Sequence, residues 1–134
     1  MTLTLEEKRK LYDKSKKLYE EIEKIKIRKE IKMPVFNKYY PSDTRYSNRG
    51  FVYATYSDGI YMYGDSVKKL LKELGNYIKY KDTGEDRING ELCSYVSDYT
   101  INALLDFIYH SDKILQTVKE QNEQERKELN DLLS

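Results

Sequence analysis

At 134 residues, 39% hydrophobic and 35% charged, the chain has the length of one domain and enough apolar residues for a core without disulfides or metal. Its net charge of +1 excludes a uniformly basic nucleic-acid binder and an acidic DNA mimic. A single cysteine, Cys93, excludes an internal disulfide, and no apolar run approaches the roughly 20 residues of a membrane span.

A cytoplasmic location is therefore expected: one cysteine fits a reducing compartment. Thr2-Leu3-Thr4-Leu5-Glu6-Glu7 lacks the basic and apolar regions of a secretory signal. The small net charge hides an asymmetry. Residues 1–50 hold 14 Lys/Arg against 8 Asp/Glu, and residues 51–134 hold 10 against 15. Fourteen tyrosines stand against three phenylalanines and no tryptophan. Tyrosine buries a ring while keeping its hydroxyl wet, so it suits half-exposed positions and interfaces.

Thr4-Leu5-Glu6-Glu7 has the spacing of a capping box, and a helix is expected over 4–32, ended by Pro34. Leu11, Leu18 and Ile25 recur at seven, with Ile22 between them and Tyr12 and Tyr19 alongside. That narrow seam needs a partner, in the chain or in a second copy. Residues 33–50 read as a long loop in which Phe36, Lys38, Tyr39, Tyr40, Arg45, Tyr46 and Arg49 interleave aromatic and basic groups. Such a mixture suits base stacking with phosphate contacts, or the Tyr/Arg anchors of a protein interface.

Residues 51–64 read as a β-hairpin around Asp58-Gly59, a type I′ signal. A two-residue turn there sets Tyr56 opposite Tyr61 and Thr55 opposite Met62. One face then carries Phe51, Tyr53, Thr55, Ile60 and Met62, which reads as core. The other carries Val52, Ala54, Tyr56, Tyr61 and Tyr63, a tyrosine platform. Gly50-Phe51-Val52-Tyr53 followed by Tyr61-Met62-Tyr63-Gly64-Asp65-Ser66 resembles the opening of the GIY-YIG nuclease domain. That family carries an essential arginine on the helix after the strands. Here Leu70 or Leu71 stands at the arginine position and the histidine position falls near Leu74. The positive charge that phosphodiester cleavage requires is missing, so no nuclease is expected.

Val67, Leu70, Leu71 and Leu74 form one stripe on a helix over 65–75, expected to lie across the Phe51/Ile60/Met62 face and to stop at Gly75. Residues 76–97 then offer further strands around a polar loop, 82–90. A C-terminal helix over 98–133 carries Ile101, Leu104, Leu105, Ile108, Leu115 and Val118. Asn122 shares the heptad position of Ile101, Ile108, Leu115 and Leu129, where an Asn can fix register. The expected architecture is a single α+β domain, residues 1–134: a small antiparallel sheet built on the 51–64 hairpin, packed by helix 65–75 and by long N- and C-terminal helices.

Residues 82–93 do not fit a calcium loop, with Arg87 at the glycine position and Cys93 at the final glutamate position. Cys93 and His110 are too few for zinc, and His110 with Asp106 four residues earlier reads as a helix-surface pair. No catalytic motif is intact, so no enzyme, cofactor or metal is expected. A small Lys-, Ile- and Tyr-rich chain suggests an AT-rich genome of the kind phages and mobile elements carry. The expected function is non-enzymatic protein binding, of inhibitor or adaptor type, against a host protein or protein–nucleic acid complex such as CRISPR-Cas. Tyr39, Tyr40, Arg45, Tyr46, Arg49, Tyr56, Tyr61 and Tyr63 would make the contact. The alternative is a nucleic-acid-binding module using the basic first half and tyrosine stacking. No membrane partner is expected, and the terminal helices leave room for a homodimer.

Overall fold

The computed structural model is, among the residues it describes, mostly helical, with four helices and small antiparallel sheets. It describes residues 2–25, 30–33, 53–56 and 59–134, with side chains placed over 2–25 and 67–134. Helix α1 spans Leu5–Ile25. It opens on the expected capping box: the Thr4 N–H donates to Glu7 Oε1 at 3.0 Å and the Glu7 N–H donates to Thr4 Oγ1 at 3.1 Å. Those bonds hold the Glu7 carboxyl below its usual range, the Thr4 amide contributing most. Leu11, Ser15, Leu18 and Ile22 form the buried face, so the seam finds its partner inside the chain, against α2, α3 and α4.

The helix expected to run to Lys32 does not reach it, because strand β1 occupies Glu30–Met33. Pairing with a neighbouring strand overrides the local helical pattern there. Strands β2 (Tyr53–Tyr56) and β3 (Gly59–Tyr63) form the expected hairpin, and β1 joins its other side, giving the antiparallel order β1-β3-β2. The hairpin register differs from expectation: Tyr56 pairs with Gly59, Thr55 with Ile60, Ala54 with Tyr61 and Tyr53 with Met62. The slip is two residues, so each residue keeps its face; a slip of one would have exchanged them. By pairing, β1 adds Ile31 and Met33 to the row of Ile60 and Met62, and Glu30 and Lys32 to that of Tyr61 and Tyr63.

Helix α2 spans Gly64–Thr83, which overturns both the stop at Gly75 and the strand expected over 76–81. Gly75 lies mid-helix because Tyr12 of α1 crosses it: a Cβ there would sit 2.9 Å from Tyr12 Cε2 and 3.2 Å from Cζ. The glycine serves close approach, and the helix ends nine residues later at Gly84. There φ is +76° and the N–H bonds back to the Tyr80 carbonyl at 2.8 Å, the αL stop. Val67, Leu70, Leu71 and Leu74 are buried as expected, but the helix that α2 lies against most extensively is α1.

Strands β4 (Arg87–Ile88) and β5 (Glu91–Leu92) form a second hairpin around Asn89-Gly90. Both turn residues have positive φ, 53° and 81°, as a type I′ turn demands. The C-terminal helix is two helices, α3 (Asp98–Tyr109) and α4 (Ser111–Leu133), broken at His110. An unbroken helix would run about 54 Å and carry Ile101 and Val118 away from any common core. The break lets Ile101, Leu104 and Phe107 of α3 and Ile114 and Val118 of α4 enter one apolar cluster with α1 and α2. Asn122 does join two helices. Its side-chain amide donates to the Ile25 carbonyl, satisfying one of the orphan carbonyls at the α1 C-terminus.

Candidate binding cleft

The cleft lies between α2 and the chain that leaves the second hairpin. One wall is the stripe Lys69, Lys72, Glu73 and Asn76, spaced to share one face of α2. The other is the run Glu91, Leu92, Cys93 and Tyr95. The volume is about 370 Å³, within the span of small ligand pockets.

The second wall is tied down at Cys93 and again just beyond Tyr95. The Cys93 N–H donates to the Asp86 carbonyl at 2.8 Å, and its buried thiol reaches the Glu85 carbonyl at 3.4 Å. Val96 is buried, and the Ser97 N–H donates to Glu73 Oε1 at 3.1 Å. Ser97 caps α3 by accepting from the Thr100 N–H at 3.2 Å, while the Thr100 hydroxyl donates to Glu73 Oε2 at 2.7 Å. The Glu73 carboxylate, borne on α2, thereby sits at the positive end of α3, where negative charge is favoured. Leu92, next to the Cys93 anchor, is 60% exposed, and Tyr95, between Cys93 and Val96, is 70% exposed. Two large apolar groups held in water on a fixed segment are the unusual feature of this surface.

The charges are unequally committed. Lys72 meets Glu91 at 3.9 Å, both well exposed, and an ion pair of that kind contributes little. Lys69 and Asn76 have no polar partner among the described residues. The opposite end of α2 carries a different cluster. The Lys8 ammonium stands 4.9 Å from the Tyr77 ring centre, and Lys81 stands 5.8 Å from Tyr77 and 5.7 Å from Tyr80. Beside it Arg9 grips Asp82 with both guanidinium nitrogens, one at 3.1 Å. That contact holds the Asp82 carboxyl below its usual range and raises Arg9 further.

Of the residues expected to make contacts, Tyr56 lies at the end of β2 and Tyr61 and Tyr63 lie on β3, in one row by pairing. Tyr39, Tyr40, Arg45, Tyr46 and Arg49 lie outside the described residues. His110 and Asp106 do not form a surface pair. Both are buried, Asp106 completely, because the α3–α4 break turns that face inward, and Tyr109 meets the His110 ring edge-on at 4.8 Å. Cys93 lines the cleft while His110 sits at the helix junction.

The cleft itself went unread in the sequence. Asn89-Gly90 is a strong hairpin signal inside what reads as the polar loop 82–90, and it would have paired Leu92 with Arg87 across a hairpin. Elsewhere, Leu129, Leu132 and Leu133 are exposed at the far end of α4. Among the described residues no group of three His, Cys, Asp or Glu is arranged to hold a metal ion, and no helix is long and apolar enough to cross a membrane. Comparison with protein-family models, curated proteins and solved structures gave no match.

Proposed function

We propose that the chain is a protein-binding protein of inhibitor or adaptor type that acts by docking and carries out no chemistry. The observation that carries this reading is the exposed pair Leu92 and Tyr95 on the anchored rim of the α2 cleft. Aromatic and aliphatic anchors beside a pocket are what the centre of an interface is made of. The target is a host protein or protein–nucleic acid complex, a CRISPR-Cas effector being one such machine. That part rests on the small size and Tyr/Lys-heavy composition alone.

The test is affinity capture from the native host with the wild-type chain and with Leu92→Ser/Tyr95→Ala, read by mass spectrometry. A protein retained by the wild type and lost from the double variant supports docking here. Equal capture by both moves the contact elsewhere.

The second reading, nucleic-acid binding, draws on Lys8 and Lys81 stacked on Tyr77 and Tyr80, the pairing of cations and rings that single strands favour. It requires an oligonucleotide affinity that falls steeply with salt. A flat response rejects it.

A further inference from the structure

We infer that the α2 cleft is a receptor for an acidic peptide segment carrying an aliphatic or aromatic residue beside its carboxylates. This deepens the docking reading and rests on it.

Charge sets the sign of the occupant. Lys69 and Lys72 share the α2 wall with Glu73, but the Glu73 oxygens are taken by the Ser97 amide and the Thr100 hydroxyl, and its charge is offset by the α3 N-terminus. Lys69 keeps an uncommitted ammonium among the described residues, with Lys68 exposed next to it. The loose Lys72–Glu91 contact can exchange for a better carboxylate at little cost. The α2 wall is thus effectively positive and attracts a carboxylate.

The opposite wall sets the rest of the occupant. Leu92 and Tyr95 present apolar surface that a peptide side chain can cover, removing water at about 25 cal/mol per Å². Asn76, an amide with no polar partner among the described residues, offers a donor and an acceptor to a peptide backbone. A nucleic acid is disfavoured. Glu91 stands on the rim, and residues 51–134 carry five more acids than bases, which repels a continuous phosphate chain while tolerating one or two carboxylates.

The experiment uses the full chain and three labelled probes followed by fluorescence anisotropy. These are an end-capped peptide alternating Glu with Leu and Phe, its Glu→Gln counterpart, and an oligothymidylate. The Glu peptide should bind about tenfold tighter than the Gln peptide, the equivalent of one well-placed charge pair. Lys69→Glu and Leu92→Ser should each weaken it by a similar factor, with the far-UV circular dichroism and thermal midpoint of each variant unchanged. Equal binding of the Glu and Gln peptides, indifference to Lys69→Glu, or tighter binding of the oligothymidylate would overturn the assignment. Absence of peptide binding, with a host partner still captured through Leu92 and Tyr95, removes the acidic-peptide assignment and leaves docking standing. Absence of both removes both.

Discussion

Replacing Gly75 with alanine tests whether α1 and α2 are held at the spacing the structure gives them. Two effects oppose each other. In a helix interior alanine is favoured over glycine by about 1 kcal/mol. The new methyl, however, would start 2.9 Å from Tyr12 Cε2, 3.2 Å from Cζ and 3.3 Å from the hydroxyl. To reach ordinary contact near 3.4 Å the ring edge must withdraw by about 0.5 Å, and Tyr12 packs against the core. Overpacking of that kind costs about 1–3 kcal/mol. The clash wins, and Gly75→Ala should destabilise by about 1 kcal/mol, a fall of about 4 °C in Tm. In a Tyr12→Ala background the ring is gone and only propensity remains, so the same change should stabilise by about 1 kcal/mol. The double-mutant cycle should therefore show a coupling of about 2 kcal/mol. Urea unfolding followed by far-UV circular dichroism, with m held constant across the four proteins, measures it. If Gly75→Ala stabilises equally in both backgrounds, the glycine is not there for Tyr12 and the helix spacing is wrong.

Ser15 is fully buried in the α1 face and its hydroxyl has no hydrogen-bond partner among the described residues. Ser15→Ala removes that burden and adds helix propensity, so the urea midpoint should rise, by about 1 kcal/mol of stability. Asn122→Ala leaves the Ile25 carbonyl without its amide and should cost about 1 kcal/mol, with faster amide exchange confined to the last turn of α1. The Asp82 carboxyl is lowered by the Arg9 guanidinium, so the stability it contributes is present above its ordinary value and lost as pH falls through the folded one. Asp82→Asn should lower the neutral-pH urea midpoint and flatten its decline on acidification; parallel declines in variant and wild type would show that the contact contributes nothing.

What was legible in the sequence is what short-range chemistry decides. Thr4 and Glu7 sit at capping-box spacing and cap the helix. Val67, Leu70, Leu71 and Leu74 lie at helical spacing and are buried. Asp58-Gly59 flagged a hairpin, and the period of two kept the same residues together on each face although the register slipped by two. The misreadings have one physical origin, in that contacts distant in sequence chose between local options. Gly75 and Gly84 look alike locally, but only the ring of Tyr12, 63 positions earlier, makes the first a crossing point and leaves the second as the helix stop. Residues 30–32 read as helix until β3 is there to pair with them. Nothing near His110 is a helix breaker such as Pro or Gly. The turn is forced by the need of Phe107 and Ile114 to enter the same core.

The same long-range ties bear on why Leu92 and Tyr95 can serve a partner. An exposed apolar side chain on a loose loop must be ordered when it binds, at about 0.5–1.5 kcal/mol for each side chain immobilised and more for backbone. Here the backbone is ordered beforehand. Cys93 is fixed to the 85–86 backbone, Val96 is in the core, and Ser97 is held by Glu73. Exposure alternates along that run, with Leu92 and Tyr95 outward and Cys93 and Val96 inward. The buried pair fixes the segment on which the exposed pair stands. Glu73 connects this arrangement to the fold, since one carboxylate both lines the cleft and secures the start of α3. A change at Glu73 should therefore weaken binding by loosening the second wall, whereas a change at Lys69 should weaken it through charge alone. Only the first should also speed amide exchange at the start of α3, and that difference separates positioning from contact.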